Sequence, residues 1–478
     1  MSSRREFIKT GGLALAGLSM SGLKIPSFSM ESGTYVSQRP KPEDRKFTST
    51  AVEEEIQKVK STIKNKELAW MFENCYPNTL DTTVKFQMID GKPDTFVITG
   101  DINAMWLRDS TAQVTPYLQL ANKDEKLKQL LAGVINRQTK CILIDPYANA
   151  FNYGPTGSQW DKDLTTMKPE LHERKWELDS LCYPIKLAYN FWKITGDTSC
   201  YDDKWQSAMK LAVQTFKQQQ RKHGPGPYKF QRVTARQTDT VAGFGYGNPI
   251  KPVGLICSVF RPSDDATIFL FFVPSNYFAV VSLRQLSEMF SKIVGDKDFA
   301  NECSALADEV ETALRQYALT KHLDFGEMIS FEVDGFGNRL FMDDPSFPGL
   351  LSLPYYGSFS ETNPIYKNTR KFIFSDSNPY FFKGKFGDGI GSPHTGLGKI
   401  WPLSFIMQAL TSTNDKEISS CLKSLINTNA GTGFIHESFE KDDPKKFTRK
   451  WFAWANTLFG ELIIRLYNEK PYLLKDEL

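Results

Sequence analysis

Ile194-Thr195-Gly196-Asp197 and Ile293-Val294-Gly295-Asp296 are nearly the same phrase, written twice in one chain. Each follows a stretch of helical apolar period and precedes another. A glycine just past a helix end can take the left-handed conformation. The aspartate after it can cap the next helix or sit favourably in its first turn. Each phrase therefore reads as the turn of an αα-hairpin. Thr413-Asn414-Asp415 and Ala121-Asn122-Lys123-Asp124 are variants of it. The turns recur irregularly, 73 residues from Asp124 to Asp197 and 99 from there to Asp296, which disfavours a solenoid of fixed period.

Outward from these turns the dominant signal is helical. Val52, Ile56, Val59 and Ile63 recur at three and four, predicting one amphipathic helix over residues 53–72. Further helices are predicted near 109–121, 124–142, 175–194, 200–222, 276–294, 297–318, 345–353, 364–374, 396–412, 415–428 and 449–468. About twelve helices in hairpins suggest an all-α chain closed into a ring of six pairs, an (α/α)6 barrel, the first helix meeting the last; an irregular α-solenoid is the alternative. The long insertions 143–172, 223–262, 320–344 and 376–397 carry short β-hairpins on the rim. Tyr228–Val233 and Met328–Val333 read as strands there.

The chain has 478 residues, enough for a large core. It holds 58 basic and 55 acidic residues, so no strong basic field marks it for nucleic acid. Aromatic residues reach 13%, which suits core packing and stacking on sugar rings. Arg4-Arg5-Glu6-Phe7 followed by apolar Gly11 to Leu23 reads as a twin-arginine export signal of residues 1–29, with an ordinary secretory signal as the alternative. The apolar run is too short to span a bilayer. This implies passage through the twin-arginine machinery to a bacterial periplasm. Removing residues 1–29 takes away four cations and one anion, leaving a near-neutral chain. Residues 30–48 read as a linker and 49–478 as one catalytic domain. The terminal Lys475-Asp476-Glu477-Leu478 conflicts with a bacterial signal and reads as coincidence. The seven cysteines are odd in number and form no CxxC, against a disulfide framework. The five scattered histidines give no zinc spacing, so no metal and no cofactor is expected.

Four clusters interleave charged and aromatic residues where loops meet helices. The first is Gly100 to Ser110, with Trp106, Arg108 and Asp109 at a helix start, where Asp109 or Ser110 could equally serve as a cap. The second, Glu170 to Ser180, carries His172, Glu173, Glu177 and Asp179; Glu173 and Glu177 are expected on one helix face. The third, Phe260-Arg261-Pro262-Ser263-Asp264-Asp265, sets paired carboxylates before an apolar run expected to be a buried helix. Burial and a neighbouring like charge raise a carboxyl pKa, as a general acid needs. The fourth is Gly433 to Phe439 with Glu437 between His436 and Ser438, followed by Arg449 to Asn456. Trp451 and Trp454 share a helical face, so at least one belongs to the core. Asp388 and His394 in a Gly-rich loop could complete a rim. That loop lacks the Lys-Ser/Thr of a phosphate cradle, and no Gly-x-Ser-x-Gly elbow appears. Paired carboxylates with aromatic platforms point to carbohydrate, because glycosidases flank the scissile bond with two carboxyl groups.

Met105–Ser110, His172–Ser180, Phe260–Asp265 and His436–Phe439 together resemble glycoside hydrolase family 125, over about residues 50–470. The resemblance implies an (α/α)6 barrel and an exo-acting α-1,6-mannosidase that inverts the anomeric centre without a metal. It also implies an acid in the pair Asp264–Asp265, which sequence does not separate, and a base at Glu437. Trp106, Arg108, Asp109, His172, Glu177, Asp179, Arg261 and His394 would bind mannose or its neighbour. The rival readings are another (α/α)6 carbohydrate-active enzyme, a polysaccharide lyase among them, and a non-catalytic glycan-binding protein. A lyase would want a more basic groove.

Overall fold

In the computed structural model, which describes residues 35–476, helix starts follow local chemistry. Ser49 accepts the Val52 amide at α1 (Thr50–Lys60), and Asn65 accepts that of Leu68 at α2 (Lys66–Cys75). The helix expected over 53–72 is thus two helices, interrupted where Ser61 and Asn65 satisfy the free ends. The others are α3 (Asn78–Thr82), α4 (Leu107–Val114), α5 (Glu125–Ile144), α6 (Leu178–Thr195), α7 (Asp203–Gln219), α8 (Val273–Met289), α9 (Lys297–Tyr317), α10 (Pro364–Ile373), α11 (Pro402–Leu410), α12 (Asp415–Thr428), α13 (Ala453–Glu469) and α14 (Tyr472–Lys475).

The two founding turns behave as read at their glycines, with φ of 72° at Gly196 and 84° at Gly295. Asp296, Asp124 and Asn414 cap α9, α5 and α12. Asp197 does not cap α7. It accepts the Ser199 amide, and Asp202 is the cap, because five more residues separate the turn from the helix.

The chain alternates between an inner ring and outer helices. In the ring, α4 packs on α6 and α13, α6 on α8, and α11 on α13. The N-terminal α2 lies against the C-terminal α13, closing the (α/α)6 barrel. One ring position is not a helix. The predicted helix 345–353 is a succession of turns. Pro345, Pro348 and Gly349 oppose a helix there, and the Asp343 carboxylate takes the amides of Leu350 and Leu351 at 2.7 and 2.9 Å. The segment still fills the ring: Tyr183 of α6 donates to the Phe347 carbonyl, Tyr356 packs on Phe278 of α8, and Phe347 on Trp454 of α13.

Short antiparallel strands ride on this frame. Met105–Trp106 pairs with Ala150–Phe151, which pairs with Leu171–Glu173. Ser438–Glu440 lies between Lys399–Ile400 and Asp443–Thr448. The strand expected over Met328–Val333 is split between two, Gly326–Ile329 and Glu332–Val333, in different sheets, and Tyr228–Val233 is not a strand; it is tied by single bonds to Gly245 and Leu164. Asp388 caps a hairpin turn, accepting the Gly384 amide. The polar stretch from Tyr35 is held to the barrel: Arg39 bonds Glu53 and Asp81, and the Trp70 indole donates to the Val36 carbonyl. No helix among the described residues is long and apolar enough to cross a membrane. The export signal expected at residues 1–29 and the last two residues of the chain lie outside the described residues.

Candidate active site

A cavity of about 210 Å³ opens where the start of α4, the turn before β-strand Phe271–Phe272, the His394 loop and the start of α13 converge. The Met105–Trp106 strand delivers the chain into α4, so Arg108 and Asp109 sit inside its first turn and not at its cap. Around the Arg108 guanidinium stand four carboxylates: Glu177 at 2.6 Å, Asp179 at 3.1 Å, and Asp109 and Asp264 each at 3.6 Å. Glu177 and Asp179 are fully buried. Burial pushes the Glu177 carboxyl well up, with Asp264 and Asp179 adding like charge against the Arg108 cation. Burial likewise lifts Asp179 to about 6 against Arg108. Asp109, also raised by burial, is steadied by Arg108 and by the Thr99 hydroxyl at 2.5 Å.

The predicted buried helix after Asp265 does not form; α8 begins only at Val273. Asp264 and Asp265 instead sit in a tight loop in which the Asp264 amide donates to the Arg261 carbonyl and the Arg261 amide to that of Asp265. Asp264 has φ of 64°, a costly conformation for a residue with a Cβ. That turn aims the two carboxyls apart. Asp264 lines the cavity and accepts from Asn149 at 3.2 Å, while Lys175 bonds its carbonyl at 2.8 Å. Burial would raise its carboxyl, but Lys175, a hydrogen bond with Glu177 and Arg108 outweigh it and hold it below the usual range. Asp265 is turned away, 3.3 Å from Arg236 and 3.5 Å from His394 Nδ1.

Glu437 lines the same cavity. The Ile435 amide, bonded to Asn456 of α13, and the strand that starts at Ser438 hold its loop from both sides. Among the described residues no group donates a hydrogen bond to its carboxylate; Arg449 Nη1 stands 3.7 Å away. Arg449 is itself fixed by Asp101 and by the Phe452 ring. His436 is structural: it stacks on Phe447 at 3.6 Å, and burial lowers its pKa to about 4.

Of the residues singled out in the sequence, Trp106, Arg108, Asp109, Asp264, His394 and Glu437 line the cavity. Glu177 and Asp179 stand behind Arg108. Glu173 ends a strand while α6 begins at Leu178, so Glu173 and Glu177 share no helix face. His172 is held edge-on to Trp106 at 5.4 Å, and Arg261 faces Glu332 at 2.6 Å; neither reaches the wall. The walls also contain Thr99, Ser346, Trp401, Phe452, Arg449 and Trp454. Arg449 and Trp454 belong to the fourth cluster, where the interleaving of charge and aromatics was the available signal. Thr99 and Ser346 carry none, being small residues brought in by the fold.

Residues 65–464 match the metal-independent α-mannosidases of glycoside hydrolase family 125. The meiotically up-regulated gene 157 protein of Schizosaccharomyces pombe is 43% identical over 457 residues, 92% of this chain and 90% of that one. A Streptococcus pneumoniae metal-independent α-mannosidase, solved in a non-productive complex with α-1,6-mannobiose, is 40% identical. It superposes with a TM-score of 0.86, covering 89% of this chain and all of its own. A bacterial glucoamylase solved with acarbose shares the fold alone, at 14% identity and a TM-score of 0.54, over 87% of this chain and 59% of its own.

Proposed function

The chain belongs to glycoside hydrolase family 125, the metal-independent α-mannosidases, and from that premise we propose that it is an exo-acting α-1,6-mannosidase that inverts the anomeric centre. One observation carries this reading: Asp264 and Glu437, held in unlike surroundings, line the same small cavity. Asp264 is the general acid, because it and not Asp265 meets the cavity. Its proton goes to the glycosidic oxygen as the bond to C1 breaks and the electron pair stays with the leaving sugar. Glu437 is the base. Its carboxylate, which receives no hydrogen bond among the described residues, takes a proton from water as the water oxygen attacks C1 from the opposite face. Inverting glycosidases keep the two carboxyl groups roughly 6.5–9.5 Å apart to admit that water. Trp106, Trp401 and Trp454 offer apolar faces to the ring, and Arg108 and Asp109 offer charged groups to its hydroxyls. A cavity of about 210 Å³ fits one sugar ring, which supports removal of terminal residues. The complex of the Streptococcus relative supports an α-1,6-linked mannoside as substrate.

Proton NMR of the reaction with α-1,6-mannobiose tests this. β-Mannose is expected as the first-formed anomer. α-Mannose first would establish retention and remove Glu437 as base. Absence of release from mannobiose and from an α-1,6-mannose-tipped oligosaccharide would move the function to another linkage or to binding. The paired Arg4-Arg5 supports export by the twin-arginine route to a periplasm. Changing both arginines to lysine is then expected to leave the protein uncleaved inside the cell.

A further inference from the structure

The carboxylates around Arg108 outnumber the cations that reach them; Arg449, the other guanidinium on the cavity wall, is held by Asp101 and stands beside Glu437. Among the described residues Arg108 is the one cation in direct contact with Asp109, Glu177, Asp179 and Asp264. Lys175 is near, but its ammonium is matched by Asp239 at 2.7 Å and Glu173 at 3.3 Å, and Arg232 is taken by Asp163, Glu173 and Asp239. His394 and Arg236 face Asp265. His172, edge-on to Trp106, adds no cation at neutral pH, since burial lowers its pKa. Four carboxylates on one buried guanidinium leave an excess of negative charge that is costly unless a proton stays with them.

The geometry says where. Glu177 Oε2 takes Arg108 at 2.6 Å and the Ser180 hydroxyl at 2.9 Å. Glu177 Oε1 is buried and, among the described residues, receives no hydrogen bond from an N–H or hydroxyl. Glu177 and Asp264 sit on two different nitrogens of the same guanidinium, Nη1 and Nη2, which brings their carboxyl groups within interacting range of each other. Two carboxylates repel; two carboxyl groups with one proton between them form a hydrogen bond.

We propose that Glu177 is the positioning residue that supplies Asp264 with its proton, the two carboxyls holding one proton between them in the neutral range. This rests on the reading of Asp264 as the acid. In the resting site the proton bridges Glu177 Oε1 and Asp264. When substrate binds, the proton passes to Asp264 and Glu177 becomes a carboxylate against Arg108 and Ser180. Asp264 then gives the proton to the leaving oxygen while Glu437 takes one from the attacking water. After release, Glu437 returns its proton to solvent and the pair takes one up, so the cycle closes. A lone Asp264 beside Arg108 and Lys175 would be ionised at neutral pH and could not start it.

The test compares α-1,6-mannobiose, which needs an acid, with α-mannosyl fluoride, whose leaving group does not. In Glu177→Gln the kcat/KM for mannobiose at pH 7 should fall about 100-fold, and the basic limb of its pH profile should move down by about one unit or more. Turnover of the fluoride should stay within about threefold of wild type, because binding and base are intact. An unmoved basic limb, or equal losses on both substrates, would overturn the proposal in favour of a structural role. If Glu177→Gln does not fold, Glu177→Asp decides: its basic limb should stay within about half a unit of wild type, and a limb that moves down sinks the idea. Asp264→Asn separates the two readings. It should lose mannobiose and keep the fluoride. If it cleaves mannobiose normally, Asp264 is not the acid and the functional reading fails at its root; if it behaves as expected while Glu177→Gln shows no shift, only the pairing fails.

Discussion

Glu437 and Arg108 show how much a single side chain can carry here. With Glu437→Gln the attacking water loses its proton acceptor, and kcat for mannobiose should drop by about 10³-fold with the fold intact by circular dichroism. Near-normal turnover would take Glu437 out of the base role. Arg108 is different, because its loss is felt first in stability. Arg108→Met leaves Glu177, Asp179 and Asp109 buried without their cation, at a cost of about 3–5 kcal/mol. The deficit should shrink between pH 7 and pH 5 as those carboxyls, already raised by burial, take up protons; denaturant titrations at both values check it. At this scale the motifs made Trp106, Arg108, Asp109, Asp264, His394 and Glu437 legible. They did not tell Asp264 from Asp265, because the left-handed turn that aims the two apart leaves no mark in a doublet of identical residues. Nor could they show that Arg261 spends its charge on Glu332, a partner 71 positions away.

Among the elements, the loop from Asn429 to Glu437 joins structure to chemistry. His436 near its end is neutral and stacked on Phe447. Burial lowers its pKa from 6.5 to about 4, so the unfolded chain binds a proton that the native loop refuses. Stability from this group is complete above pH 6.5 and is lost as pH falls from there towards 4, by about 3 kcal/mol in all. His436→Gln should lose that part of the acid slope in denaturant titrations at pH 7, 5.5 and 4; an unchanged slope would assign it to other groups. Helix positions were readable from period and caps, most cleanly at Asp124 and Asp296, whereas before α12 the cap falls to Asn414 and Asp415 sits in the first turn. What misled was period running on through a break, as at Ser61–Asn65, and apolar runs before α8 that are buried without being helical. Periodicity reports which face is buried and says little about whether the backbone bonds continue.

For the whole molecule, the hairpin turns and the count of helices were enough to suggest a closed ring of six pairs. They could not reveal that one ring position is built from turns, since the Asp343 carboxylate there substitutes for helical hydrogen bonds. All seven cysteines are buried and unpaired. A thiol-reactive dye should therefore label none of them in the native protein and seven after denaturation, and reductant should leave the melting temperature unchanged. Early labelling of one thiol would expose a local opening of the ring. The closure of α2 on α13 also has a consequence in time. The cavity takes Thr99, Trp106 and Arg108 from the early chain, Asp264 from its middle, and Glu437, Arg449 and Trp454 from its last fifth. On the roles proposed above, a ribosome making this protein holds the acid with no base for most of the synthesis. The nascent chain is chemically silent until α13 emerges, and a message truncated before that point yields no hydrolase at all.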